Sequence, residues 1–423
     1  MYAQSRTTDS LALVALYNST DGANWKTNTN WLTSEPIDKW YGITVENDRV
    51  TEINFYDQNL FGSIPDEIGQ LTKLKILNFS VNNLSGIIPN SMGNLKEINA
   101  IRMGGNKLTG NIPDTISTLP KLTQLYLGNN KLTGTIPRSL GNLLTLESLN
   151  IRLNAFTGSI PTEISNLSNL LELNIEWNNL TGSIPKELAN LSKLEELSLE
   201  GNKLTGEIPT EIGNLTKLEI LTLGNNNLTG SLPLSLSNLL NLKTLSLSFN
   251  NLSGTVPESY SKLSLLEKLY ISKNRFVSPL PKFPNLKDLN LHSNKFDFGD
   301  IEKNNGGIWY TYSPQDSIGT KQTFSVEEGK SLTYQLPVGG SNNTYKWFKD
   351  GNQIVGMISD TLKLINVDAR SNGKYYLQVT DNRYPELTLT SHPITIHITS
   401  RSARSLDSLA LVALYNSTNG ANW

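Results

Sequence analysis

The sequence contains no cysteine and only three histidines among 423 residues. Without cysteine there is no disulfide framework, no thiolate metal site and no cysteine nucleophile. The absence does not assign a compartment, because many secreted proteins lack disulfides. Charge of one sign is also missing: 36 Lys and Arg against 38 Asp and Glu leave a net −2 and a pI near 6.0. Nothing in that balance points to nucleic acid. No apolar run approaches the roughly 18 residues of a membrane span, so no membrane insertion is expected in this segment. Met1-Tyr-Ala-Gln4 has no apolar signal core. Ala3-Gln4 reads either as the remnant of a signal-peptidase site or as an arbitrary start. Phosphate loops, dinucleotide fingerprints and zinc spacings are absent.

What the chain does have is a period. Leu125-Tyr-Leu127-Gly-Asn-Asn130-Lys-Leu132-Thr-Gly134-Thr-Ile136-Pro137 returns every 24 residues, anchored on Asn82, Asn106, Asn130, Asn154, Asn178, Asn202, Asn226, Asn250 and Asn274. Gln58 stands one period before Asn82, and Asn294 follows Asn274 after a step of 20, which makes eleven units. In each unit the apolar residues five and three before the anchor alternate along a short strand and point inward. The anchor amide can bond the backbone of the turn that follows. Gly then permits a positive φ, and Pro fixes its own φ and ends strand pairing.

This pattern resembles the leucine-rich repeat family. The Leu-x-Gly-x-Ile-Pro half resembles its plant-type subclass, over roughly residues 9–300. The resemblance implies a solenoid with a parallel β-sheet on its concave face, and a second short strand with 3₁₀ turns on its convex face. A solenoid exposes its first core layer and needs a cap there. Residues 1–50 fit that role: a short helix over 9–19, with Asp9 or Ser10 as N-cap and Leu11, Val14 and Leu16 as its apolar face, then Trp25, Trp31 and Trp40. Asp38-Lys-Trp40-Tyr-Gly42-Ile43-Thr-Val45 is similar to the plant-type cap motif Cys-x-Trp-x-Gly-Val-x-Cys, with Asp38 and Val45 where the cysteines would stand. That departure fits a bacterial surface protein better than a plant secretory one.

Residues 51–300 are the repeats, closed by Phe296-Asp-Phe298-Gly-Asp300, and 301–317 read as a polar linker. From 318 to 398 the period is gone, and short alternating segments such as Leu332–Leu336, Tyr345–Lys349 and Lys374–Val379 indicate a β-sandwich. The region resembles an immunoglobulin-like domain, with Trp347 as its core tryptophan and Tyr375 in the tyrosine-corner position. Leu377 then occupies the place of the usual second cysteine. The expected fold is thus a leucine-rich repeat solenoid followed by an all-β immunoglobulin-like sandwich. Residues 399–423 read as a linker and the start of a second cap, because Asp407–Trp423 repeats Asp9–Trp25 at an offset of 398, with only Asn419 for Asp21. A longer polypeptide with tandem modules is expected from that repeat.

Four outward columns lie six, four, two and one residues before each anchor. They carry Tyr56, Arg102, Tyr126, Arg152, Glu176, Trp177, Glu200, Phe249 and Tyr270. Aromatics on a rigid sheet are the usual anchors for a protein partner or a sugar ring, and Trp177 is the sharpest of them. The competing reading is that Trp177 and Phe249 only shield the sheet near the turn. Glu172, Glu176, Glu196 and Glu200 fall in two adjacent units and could hold Ca²⁺, although their spacing fits no known loop motif and a solvated acidic patch is the simpler reading. Lys268, Lys273 and Arg275 with Tyr270 form a basic counterpart. Asn-x-Ser/Thr sites such as Asn83 and Asn179 fall out of the repeat consensus and carry little weight. His292 with Asp288 and Ser293 lacks an oxyanion hole, so no enzyme is expected. The reading is a secreted or cell-surface binding module for a protein or glycan, with no cofactor; other copies of the same chain are a further partner, in a stalk or filament.

Overall fold

The computed structural model describes residues 2–304, 309–400 and 403–418. They fall into two compact units. The first runs to Phe276 and includes Pro281–Asn290 and Gly307–Tyr310; the second takes Val277–Leu280, Leu291–Gly306 and the chain from Thr311 onward.

In the first unit every 24-residue turn contributes one three-residue strand, such as Ile76–Asn78, Ala100–Arg102, Gln124–Tyr126 and Ser148–Asn150. These strands are parallel and in register, so that Leu77, Ile101, Leu125, Leu149 and Leu173 form one straight column. Among the described residues the long sheet counts 13 strands. Its inward columns are sealed: Leu125, Leu149, Leu197 and Leu221, and Phe79, Leu199 and Leu247, show no exposed surface. On the opposite side the Leu-x-Gly segments pair as two-stranded ladders, for example Phe61–Ser63 with Asn83–Ser85. A five-residue 3₁₀ turn follows the repeat Pro from Pro65 to Pro257, as at Asp66–Gln70 after Pro65 and Thr162–Asn166 after Pro161.

The anchor asparagines bind the units together. The Asn178 amide nitrogen donates to Ile175 O (3.1 Å) and Glu176 O (3.1 Å) in its own unit and to Ile151 O (3.2 Å) one unit earlier. Its Oδ1 accepts from Phe156 N at 3.1 Å. The same set recurs at Asn82, Asn106, Asn202, Asn226, Asn250 and Asn274. Each anchor thereby bonds backbone groups of two units at the buried turn, and it shares one of its acceptors, Glu176 O at Asn178, with a backbone amide of the preceding unit, Leu153 N.

The cap helix is longer than the sequence suggests, Tyr2–Ser19, and Asp9 is not its N-cap. Asp9 lies inside the helix with its carboxylate fully buried. It accepts two hydrogen bonds from the Arg49 guanidinium (3.0 Å each) and one from Val50 N (2.8 Å). The buried face is Ala12, Leu13 and Leu16; Leu11, expected inside, is 60% exposed. The spacing from Asp9 to Ala12, Leu13 and Leu16 is the helical one, and it places Leu11 on the opposite side. Burying the two leucines contributes about 1.5–3 kcal/mol each. Trp25, Trp31 and Trp40 are buried, and Trp25 and Trp31 pack with Tyr17 and Phe55 at ring-centroid distances of 4.7–5.8 Å.

Residues 301–317 are not simply a linker. A helix over Phe298–Asn304 buries Phe298 and Ile301, and Trp309–Thr311 is a strand of the long sheet; residues 305–308 lie outside the described residues. Asp300 accepts from Leu280 N (2.7 Å) and Ser278 Oγ (2.5 Å), and burial pushes its carboxyl up. The helix is tied to the strand-rich region: Asp297 accepts from Gly339 N (2.7 Å), Glu302 from Ser341 N (2.8 Å) and Arg383 (2.5 Å), and Phe298 stacks on Tyr384. That region holds a six-stranded sheet and a separate pair, Leu332–Gln335 with Thr361–Leu364. Trp347 is buried beside Leu377 and donates to Ser359 O at 3.0 Å. Tyr375 OH donates to Ser371 O at 2.9 Å. The terminal helix spans Ala403–Ser417, and residues 419–423 of the repeated segment lie outside the described residues.

Replacing one anchor should strand several buried backbone groups at once. Asn178→Ala is expected to destabilise the chain by about 2–4 kcal/mol, read as a lower urea midpoint, against less than about 0.5 kcal/mol for an exposed change such as Leu234→Ala.

Candidate binding face of the long sheet

The row that looks like four outward columns is two different environments. The strands end four residues before each anchor, as Glu172–Asn174 does before Asn178. Residues six and four before the anchor stand on the sheet; residues two and one before it lie beyond the strand end. At the last of these the backbone is left-handed in every unit from Asp57 to Ser293, with φ between 51° and 69°. The reason is hydrogen bonding. Trp177 N donates to Glu200 O (2.7 Å) and Asn178 N to Gly201 O (3.2 Å), so two successive amides point to the same neighbouring unit. A regular strand alternates them, and only a flipped peptide aligns both.

Gly105, Gly201, Asn129 and Asn225 suit this position. Val81, Leu153, Trp177 and Phe249 do not: each costs about 1–2 kcal/mol relative to a residue free to adopt it. All four are nonetheless exposed, at 47%, 42%, 48% and 43%. The indole of Trp177 lies on the next unit, where a Cβ at Gly201 would come within 2.5 Å of the ring. Lys273 Nζ sits 4.3 Å from the Phe249 ring centroid.

The strand columns are a hydrogen-bonded polar floor. Arg102 donates to Gln124 Oε1 (2.6 Å), next to Tyr126. Glu172 accepts from Ser148 (2.5 Å) and Asn150 (3.0 Å), and Glu196 from Asn174 (3.1 Å) and Ser198 (2.8 Å). Glu176 reaches across two units to Thr222 (2.7 Å), and Glu200 reaches one unit to Asn225 (2.9 Å) and two to Ser246 (3.3 Å). Tyr270 donates to Asp288 at 2.6 Å, which takes up the carboxylate considered for a triad. Burial, then the bond and the charge of Asp288, push the Tyr270 hydroxyl up to about 12.

Among the described residues, two shallow depressions lie over the middle of this face. One, of about 370 Å³, is walled by Glu147, Glu172, Glu195, Glu196 and Glu219 with Gln124 and Tyr126. The other, of about 310 Å³, has Glu200, Thr222, Ser246, Ser248 and Ser272 with Phe249 and Tyr270. The structure therefore brings Arg102 to Tyr126 and Phe249 to Tyr270 and Glu200. Tyr56, 57% exposed, stands apart from both depressions, and Arg152 is exposed without reaching an acidic partner in either. Glu147, Glu195 and Glu219 escaped the sequence reading because they stand seven before the anchor, outside the columns considered. The left-handed turn escaped it too, although Gly and Asn recurring in the column of Trp177 were its signal. The four glutamates do not converge on a cation: among the described residues no group of three or more His, Asp or Glu side chains is placed to hold a metal.

Burial raises the Glu176 carboxyl above its ordinary 4.5; the Thr222 hydrogen bond opposes this in part, the charges of Glu200 and Glu196 add to it, and Arg152 offsets least. A carboxyl raised on folding favours the native state at low pH and loses that contribution as pH rises through the raised value. Glu176→Gln is therefore expected to be at least as stable as the parent at pH 7. The difference should vanish below about pH 4.5, as followed by thermal melts from pH 4 to 8.

Residues 57–205 match the family described as a leucine-rich repeat region, and residues 215–276 match leucine rich repeat. No curated protein matches the sequence. Among solved structures, a TDR receptor is 37% identical over 55% of this chain and 45% of its own, with a TM-score of 0.53. The ectodomain of the Arabidopsis thaliana receptor kinase GASSHO1/SCHENGEN3, in complex with CASPARIAN STRIP INTEGRITY FACTOR 2, is 28% identical over 76% of this chain and 50% of its own, with a TM-score of 0.57. The Arabidopsis HAESA ectodomain, in complex with an IDA peptide hormone, is 26% identical over 76% and 62%, with a TM-score of 0.50. This chain thus spans less than two thirds of each of those structures. Neither matched family is catalytic, and no helix among the described residues is long and apolar enough to cross a membrane. Residues 57–205 and 215–276 are leucine-rich repeats, and the structural neighbours of this solenoid include plant receptor ectodomains.

Proposed function

We propose that this chain is a non-enzymatic, extracellular recognition module, secreted or held at a cell surface, whose long sheet binds an extended segment of a protein partner. The observation that carries this reading is the row of Val81, Leu153, Trp177 and Phe249: apolar, exposed, and held at a backbone conformation that disfavours them. A fold that only needed the turn would do better with Gly or Asn there, as it has at Gly105 and Asn225. The row runs along the stack, beside a polar floor rich in carboxylates and hydroxyls. An extended peptide with apolar and basic side chains has the complementary length and chemistry. The HAESA ectodomain, solved with an IDA peptide hormone, supports this choice over a glycan.

The strand-rich region is read as an immunoglobulin-like spacer, on the strength of buried Trp347 and the Tyr375–Ser371 bond. The Leu-x-Gly-x-Ile-Pro repeats are read as plant-type, and the cysteine-free cap as bacterial. The repeat of 398 residues supports one link of a tandem chain, and it equally supports the second reading, a stalk or filament subunit.

A displayed random-peptide library selected on the intact chain tests the first reading. Selected peptides should be enriched in Lys, Arg and aromatic residues. They should lose about 10–100-fold affinity for Trp177→Ala or Phe249→Ala, and little for Leu234→Ala away from the sheet. Selection of nothing, or peptides indifferent to both changes, would refute recognition by this face.

A further inference from the structure

One amphipathic sequence occurs twice in two different states. In the first helix, Leu13 and Leu16 are fully buried against the first repeat, and Asp9 is held by Arg49 and Val50 N. In the helix Ala403–Ser417, the corresponding Leu411 and Leu414 are 64% and 49% exposed, with Leu409, Val412 and Tyr415 at 51%, 54% and 49%. The residues from Asp407 to Thr418 are identical to those from Asp9 to Thr20. Such a helix, at 15 residues, gains most of its stability from burying its apolar face.

We infer that the helix Ala403–Ser417 is the cap of another leucine-rich repeat solenoid, and that its seat is a first repeat with the chemistry of residues 43–71 of this chain. The seat is specified on the page. It offers an apolar layer for Leu411 and Leu414 in place of Leu13 and Leu16. It also offers an arginine and a strand amide for Asp407, as Arg49 and Val50 do for Asp9. A second intact copy is a poor host, because its own first helix occupies the seat and is tethered at an effective concentration of order millimolar. Identical residues cannot outcompete it from solution at micromolar chain. The occupant is therefore a first repeat whose seat is vacant. This inference does not depend on what the long sheet binds.

Vacating the seat in the full chain tests it. Leu13→Asp with Leu16→Asp removes the resident apolar face. The double variant should associate head to tail, its mass by light scattering rising with concentration up to about 100 µM, while the parent stays monomeric. Adding Leu411→Asp and Leu414→Asp should return it to monomer. A folded double variant that remains monomeric, or association indifferent to residues 411 and 414, overturns the inference. Should the double variant melt early, a synthetic peptide of residues 403–423 in excess should raise its melting temperature by several degrees, and the same peptide with Asp at 411 and 414 should not. Failure of the unmodified peptide to raise it overturns the inference as well.

Discussion

The structure depends on one side chain used nine times. Each anchor asparagine closes backbone hydrogen bonds in its own unit and in the one before, through an amide with few other places to go. A solenoid has no central core, so stability is summed from units and the interfaces between them. The leucine columns supply the apolar part of each interface, but they are non-directional. The asparagine amide sets the phase, because its donors and acceptors meet the backbone in a single register. Where Gln58 takes the place of Asn, the solenoid is already at its end, under the tryptophan-rich cap.

The same register creates the proposed binding face. Two successive amides must reach the next unit, the residue before the anchor must become left-handed, and its side chain then stands clear of the sheet. Glycine and asparagine meet that requirement at little cost. Valine, leucine, tryptophan and phenylalanine meet it at a cost and in solvent. Natural chains keep such strain at sites that use it. Gly201 illustrates the coupling: its missing side chain is the space in which the Trp177 indole lies.

Much of this was legible in order of periodicity. Short strands recurring 24 apart, with inward leucines, follow from spacing alone, as does the need for a cap. Where packing decided, the reading slipped. Asp9 looked like a helix N-cap because Asp is favoured there, yet a buried ion pair with Arg49, 40 residues away, outweighs the local preference. Leu11 looked like core because it is apolar, while the helix's orientation on the first repeat chose Ala12 and Leu13 beside the expected Leu16 and left Val14 half-buried. The polar stretch after residue 300 looked like a linker because its partners, Ser278 and Leu280 before it and Gly339, Ser341 and Arg383 after it, are remote in sequence.

The sequence by itself determined the repeat, its inward columns, the absence of disulfides and metal-binding cysteines, and the duplication at 398 residues. These are properties of spacing and composition, and they need no third dimension. Only the tertiary structure decided that Val81, Leu153, Trp177 and Phe249 form a row under backbone strain, because φ at that position is imposed by the neighbouring unit. It alone decided that identical helices are buried at one end and exposed at the other, because burial belongs to the surface a helix meets and not to its residues.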